Sequence, residues 1–188
     1  MSDKPKYANA LGMIVAAEIC AAMKPACKQL VVAGSLRRRK AMIGDVEILY
    51  VGQFETRQHP EDMFASVTVN LADEAIAALE KSGVLERRKN VNGSETYGPK
   101  NKLMRHVQSG IPVDLFSTTS ENWFVSLVIR TGSKETNLKL TTGAQKLGRT
   151  LNAYGAGVTL DDGRIMPAAS EEHVFKLCGV PFVEPRYR

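Results

Sequence analysis

The sequence predicts an α+β fold in two unequal lobes, on three observations. Apolar runs of strand length recur between residues 29 and 117, one helical stretch precedes them and another lies among them, and beyond Ser120 the strand-like runs give way to short helical segments. The boundary falls near residue 120, so residues 1–120 form the larger lobe and residues 121–188 a smaller one packed on it. A slot between two such lobes is the expected binding site.

Each element has its own justification. Residues 8–23 (ANALGMIVAAEICAAM) are rich in alanine and stop before Pro25, which predicts a largely buried helix. QLVVAGS, 29–35, is a buried strand running into a turn, and GDVEILYV, 44–51, is a strand with acids at alternating positions. Residues 52–62 are expected to be a loop. Residues 71–82 (LADEAIAALEKS) make an amphipathic helix with acids early and Gly83 at its end. Three strand-like pieces follow near 84–91, 102–108 and 111–117, the last two joined at Ser109-Gly110 as a hairpin. In the second lobe SENWFVSLVIR and SKETNLKLTTGAQKLG predict two helices separated by Thr131-Gly132. A β-rich piece turns at residues 161–164, and SEEHVFKLCG closes as a helix capped by Ser170 and Gly179.

Composition narrows the function classes. The 188 residues are 44% hydrophobic and 24% charged, which is globular composition. The longest apolar stretch contains Glu18 and falls short of a membrane span, and the first residues lack a secretion pattern. Cys20, Cys27 and Cys178 cannot all pair with one another, and His59, His106 and His173 are scattered, so neither a disulfide scaffold nor a zinc site is indicated. A cytoplasmic chain with no membrane partner is expected. The formal charge of +5 fits a phosphate-rich partner, with one local cluster at Arg37-Arg38-Arg39-Lys40.

Asp45-Val46-Glu47 carries the first chemical signal. Residues i and i+2 of a strand share a face, so two carboxylates emerge together from a segment whose other residues are apolar. Hard divalent cations with oxygen ligands would resolve that conflict; an edge strand with its acids in water is the alternative. Asp114, in Val113-Asp114-Leu115-Phe116, supplies a third acid in a second apolar strand. If the strands are neighbours, the triad suits two Mg²⁺ ions of the kind used in phosphoryl transfer; otherwise Asp114 pairs with an arginine such as Arg105. Gly34-Ser35, followed by Arg37 and Arg38, offers a turn with N–H groups, a hydroxyl and cations suited to phosphates. A solvated basic face is the alternative for the arginine run.

AGSLRRRKAMIGDVEILYV resembles the palm signature of the polymerase-beta nucleotidyltransferase superfamily, and IPVDLF resembles the strand bearing its third carboxylate. RTGSKETNLKL is similar to the nucleotide-binding segment of family X DNA polymerases, and LNAYG and SEEHVFKLCGVPFVEPRYR to that family's C-terminal end. The resemblance covers nearly the whole chain and implies a nucleotidyltransferase palm, with a mixed sheet flanked by helices, followed by a small α+β thumb. It implies Asp45, Glu47 and Asp114 as catalytic and metal ligands for two Mg²⁺ ions, with Mn²⁺ as a substitute. Gly34, Ser35, Arg38 and Gly44 would serve the phosphates, Gly132 and Ser133 the sugar and phosphates, and Asn137 the base edge. Arg37, Arg130 and Lys134 would meet nucleic acid, and Lys6 another phosphate. The implied activity is a minimal family X-like DNA polymerase, acting as a monomer with a nucleoside triphosphate on a DNA primer or gapped DNA, or on RNA. Its rivals are a template-independent nucleotidyltransferase acting on RNA, protein or a small molecule, and an inactive module that binds nucleic-acid ends. Three departures stand out: Glu47 where Asp is usual, Ile129-Arg130 in place of an aromatic pair, and Thr141 in place of a template-side arginine.

Overall fold

A computed structural model of the chain describes residues 5–59, 62–90, 92–154 and 157–188. The first lobe runs β1 (Tyr7–Ala8), α1 (Asn9–Met23), β2 (Cys27–Val32), α2 (Gly34–Arg37), β3 (Met42–Ile43), β4 (Val46–Gly52), β5 (Phe54–His59), β6 (Asp62–Asn70), α3 (Leu71–Lys81), β7 (Leu85–Arg87), β8 (Asn101–His106) and β9 (Pro112–Ser117). The second runs α4 (Trp123–Thr131), α5 (Lys134–Lys146), β10 (Arg149–Leu151), β11 (Val158–Leu160), β12 (Ile165–Met166) and α6 (Glu171–Leu177).

The central sheet has the order β2-β4-β9-β8-β7. β4 and β9 are parallel, and every other neighbouring pair is antiparallel. The sheet is mixed, as expected, and its two faces follow from period-2 alternation. Val46, Ile48 and Tyr50 point to one side, where with Val113 and Leu115 they pack under α1 and α3. Leu49, Val51 and Phe116 point to the other, against Trp123 and Leu127 of α4. Glu47 and Asp114 share the alternation of this second face, so the fold directs both acids toward the second lobe. That lobe has its own core, in which Val125, Val128, Leu140, Val174 and Phe175 meet, with Phe175 edge-on to Phe182 at 5.3 Å.

Several expectations need correction. The loop expected over 52–62 is in part strand: β5 pairs with β6 in an antiparallel ribbon, while residues 60 and 61 lie outside the described set. FETRQH shows no apolar alternation because the ribbon stands off the core and neither of its faces is buried; Phe54 is 64% and Phe64 95% exposed. Near 84–91 only Leu85–Arg87 form the strand, and Val91 is outside the described residues. The strand expected over 29–35 ends at Val32, and Gly34-Ser35 open a short helix instead of a turn. α1 is less buried than its alanine content suggests: Val15, Ile19 and Met23 face the core, while Leu11, Met13 and Ile14 lie on its open side. Among the described residues no helix is long and apolar enough to cross a membrane.

Candidate active site

The parallel register of β4 and β9 sets Glu47 directly beside Asp114, and Asp45 lies just before β4. Glu47 is mostly buried, and its carboxyl is pushed up to about 8, first by burial and then by Asp45 and Asp114, against the pull of Arg130 and Arg38. Asp114 is raised by burial, which the Arg88 guanidinium opposes through an ion pair and hydrogen bond. The arginine that meets Asp114 is therefore Arg88, reaching from just beyond β7; Arg105 instead pairs with Glu86 at 2.6 Å.

Among the described residues no group of three or more His, Cys, Asp or Glu side chains is gathered tightly enough to hold one metal ion. Asp114 is turned to Arg88, and the Glu47 carboxylate lies against the backbone of Gly34. The donor set nonetheless suits a hard divalent cation: three oxygen-bearing side chains lie within electrostatic reach of one another, and that proximity disfavours their joint ionisation.

Gly34 makes that arrangement possible. Its φ is +60°, and a methyl group on it would collide with the Glu47 carboxylate. Gly34→Ala thus meets two obstacles, a left-handed backbone and a displaced acid. Backbone strain of this kind costs about 1–3 kcal/mol, and melting is expected about 4 °C or more lower by calorimetry. An unchanged melting temperature would contradict this packing.

Beside the acids lies a second set of polar groups. Ser35 Oγ and Arg38 Nε are buried without hydrogen-bond partners. Arg38 Nη1 donates to the Thr131 carbonyl, and the same guanidinium lies 3.1 Å from where a Cβ on Gly132 would stand. α2 is thereby tied to the bend between α4 and α5, where the Gly132–Ser133 peptide is cis. Ser133 Oγ caps α5 by accepting from Thr136 N. Asn137 Nδ2 donates to the Ile129 carbonyl at 2.8 Å, while its Oδ1 is buried and unpaired. Orphaned buried polar atoms cost free energy unless a ligand or water completes them. Gly44 is exposed with open space where a side chain would stand, and Lys6 and Lys134 are exposed.

One arginine differs from its expected placement. Arg37 does not face outward toward nucleic acid: its Nη1 donates to Thr131 Oγ1 at 2.7 Å and to Glu171 Oε2 at 3.0 Å, and Glu171 also pairs with Arg188 at 2.9 Å. It joins the lobes. Arg130 lies 3.7 Å over the Phe116 ring and donates to Tyr154 Oη at 2.7 Å. Sequence reasoning missed Arg88, Phe116, Glu171 and the part Tyr154 plays. The signal for Arg88 was present in Arg87-Arg88-Lys89 beside a strand; for Phe116 and Tyr154 it lay only in their distance from Arg130, which a linear pattern does not carry.

Comparison with known proteins bears on this geometry. Residues 126–188 match the family model described as the DNA polymerase beta thumb. DNA polymerase lambda of Rattus norvegicus is 24% identical over 172 residues, covering 84% of this chain, which itself spans only 28% of that protein's length. Two solved structures of Leishmania infantum polymerase beta superpose over 98% of the chain. The ternary P/T complex does so with a TM-score of 0.71, 21% identity and 77% of that chain covered. The ternary gap complex gives 0.73, 19% identity and 71% covered. The fold is therefore the palm-plus-thumb arrangement seen in polymerase beta. Residues 126–188 thus resemble the thumb of that polymerase, and over the rest of the chain the likeness is one of fold.

Proposed function

We propose that this chain is a DNA polymerase-type nucleotidyltransferase that joins a nucleotide from a nucleoside triphosphate to a 3′-hydroxyl end and releases pyrophosphate, in gap or end filling. One observation carries the reading: Glu47 stands in register beside Asp114, with the unpaired Ser35 Oγ and Arg38 Nε adjoining. Asp45, Glu47 and Asp114 would hold divalent metal, Mg²⁺ with Mn²⁺ as a substitute, which would supply charge neutralisation at the reacting phosphate. The chain's own residues do the rest by positioning. Ser35 and Arg38, with the backbone at Gly34 and Gly44, receive the phosphates. Gly132 and Ser133 border the sugar, and Asn137 Oδ1 is an acceptor for the base edge. Arg130 keeps positive charge near the acids while resting on Phe116. A relative described as a ternary gap complex supports DNA as the partner.

A second reading, template-independent transfer to an unusual acceptor, draws on the replacement of the expected aromatic wall by Ile129-Arg130. Shape alone rejects an added hydroxyl by only about 10²-fold. Ribonucleotides are accordingly expected within about a hundredfold of deoxyribonucleotides. Comparing kcat/KM for one dNTP and its NTP on gapped, blunt and single-stranded DNA decides both points. A preference of many thousandfold for dNTP would refute weak discrimination, and equal rates on all three ends would favour the template-independent reading.

A further inference from the structure

A cavity of about 520 Å³ opens away from the carboxylates, where β4 and β9 end at Gly52 and Ser117. Its lining includes Lys28, Phe54, Lys100, Glu121, Asn122 and Tyr154. The strand order explains the paired lysines: β2 and β8 flank the parallel pair, and Lys28 and Lys100 stand near the starts of these antiparallel neighbours. Both lysines are exposed, against one acid, Glu121, whose carboxyl is lowered by bonds to its own backbone and to Thr119. Two aromatic rings accompany them, Phe54 at 64% exposure and Tyr154 at 47%.

The cavity is connected to the acids by alternating cations and rings. Asp114 and Phe116 share one face of β9; Arg130 lies 3.7 Å over Phe116 and bonds Tyr154, and Lys100 Nζ lies 4.9 Å over the Tyr154 ring. Cationic groups that track a backbone, interleaved with rings on which bases stack, are what a single strand requires, and every base has a face to stack. A volume of this size also suits one small organic unit at a time.

We propose that this cavity binds a nucleotide of a single-stranded nucleic-acid segment, its base stacked on Phe54 and its phosphates on Lys28 and Lys100. The inference rests on the proposed nucleic-acid acceptor and adds a second hold on it, removed from the reacting end. Glu47 and Gly52 are five residues apart on β4, which is about 17 Å of extended chain.

The test is fluorescence anisotropy of a labelled single-stranded oligonucleotide on the full chain, over a range of salt. Phe54→Ala is expected to weaken binding about tenfold with an unchanged salt slope. Lys28→Ala with Lys100→Ala is expected to weaken it and reduce the log–log slope by about 1.4, two contacts' worth for a single strand. All three side chains are exposed, so melting should match the unsubstituted protein. Transfer to a dinucleotide acceptor, too short to reach the cavity, should be unaltered by these substitutions. Failure of transfer in the unsubstituted protein would sink the polymerase reading, while strand binding is still measured separately. Wild-type affinity and salt slope in all variants would overturn the inference. So would displacement of the strand by a free mononucleotide at equal phosphate concentration, which would make the cavity a site for the small molecule.

Discussion

Replacing Asp45 or Asp114 with alanine is expected to cut nucleotide transfer by at least about 10² to 10³-fold, by comparison with losing one preorganised transition-state contact. The fold should survive. Glu47 and Asp114 lie on one face of two interior strands, and Val46, Ile48, Tyr50 and Leu115 pack the core on the other face. Arg88, left without Asp114, keeps its Nε bond to the Met104 carbonyl and has part of its side chain in solvent. Glu47→Gln separates charge from shape: it preserves volume, removes a carboxylate held up by burial and by two like neighbours, and should abolish metal-dependent transfer. In chelator at neutral pH the same variant should melt higher, since folding no longer has to protonate a group that is ionised when unfolded, and each kcal/mol so gained raises the midpoint by about 2–4 °C in a domain of this size. Near-normal transfer by Asp45→Ala, or a lower midpoint for Glu47→Gln in chelator, would contradict this description of the site.

Arg37→Ala is expected to destabilise the protein by about 2–3 kcal/mol, below the 3–5 kcal/mol typical of a broken buried pair because Arg37 retains some exposure and Glu171 keeps Arg188. Thr131, fully buried, loses its donor at the same time. The midpoint should fall by about 5–10 °C. Arg37→Lys should recover less than half of the loss, because a point charge does not match the two-pronged contact with Glu171. If both variants melt like the parent, the link between the lobes does not carry the stability assigned to it.

What the sequence made legible was whatever is periodic or local. The alternation in GDVEILYV gave β4, with Asp45 falling just ahead of it. Caps such as Ser170, whose side chain accepts from the N–H of His173 three residues on, marked the start of α6 at Glu171. That β4 and β9 are neighbours was only a condition in the sequence argument; the register supplied it. The β5–β6 ribbon escaped because period-2 reasoning needs a buried face, and this ribbon has none. Arg37 and Arg38 looked alike in a basic run, yet one crosses to Glu171 and the other to Thr131 with its Nε left unpaired. Such assignments depend on partners more than ninety residues away, beyond the reach of any local pattern.

The most direct measurement is single-nucleotide extension of a gapped duplex with Mg²⁺, following the 3′ end and pyrophosphate in the same reaction. The account predicts one pyrophosphate for each nucleotide added, with both products lost in chelator and in Asp45→Ala. Absence of extension with every dNTP and NTP on gapped, blunt and single-stranded ends, in Mg²⁺ and in Mn²⁺, would contradict it, as would extension that persists in chelator.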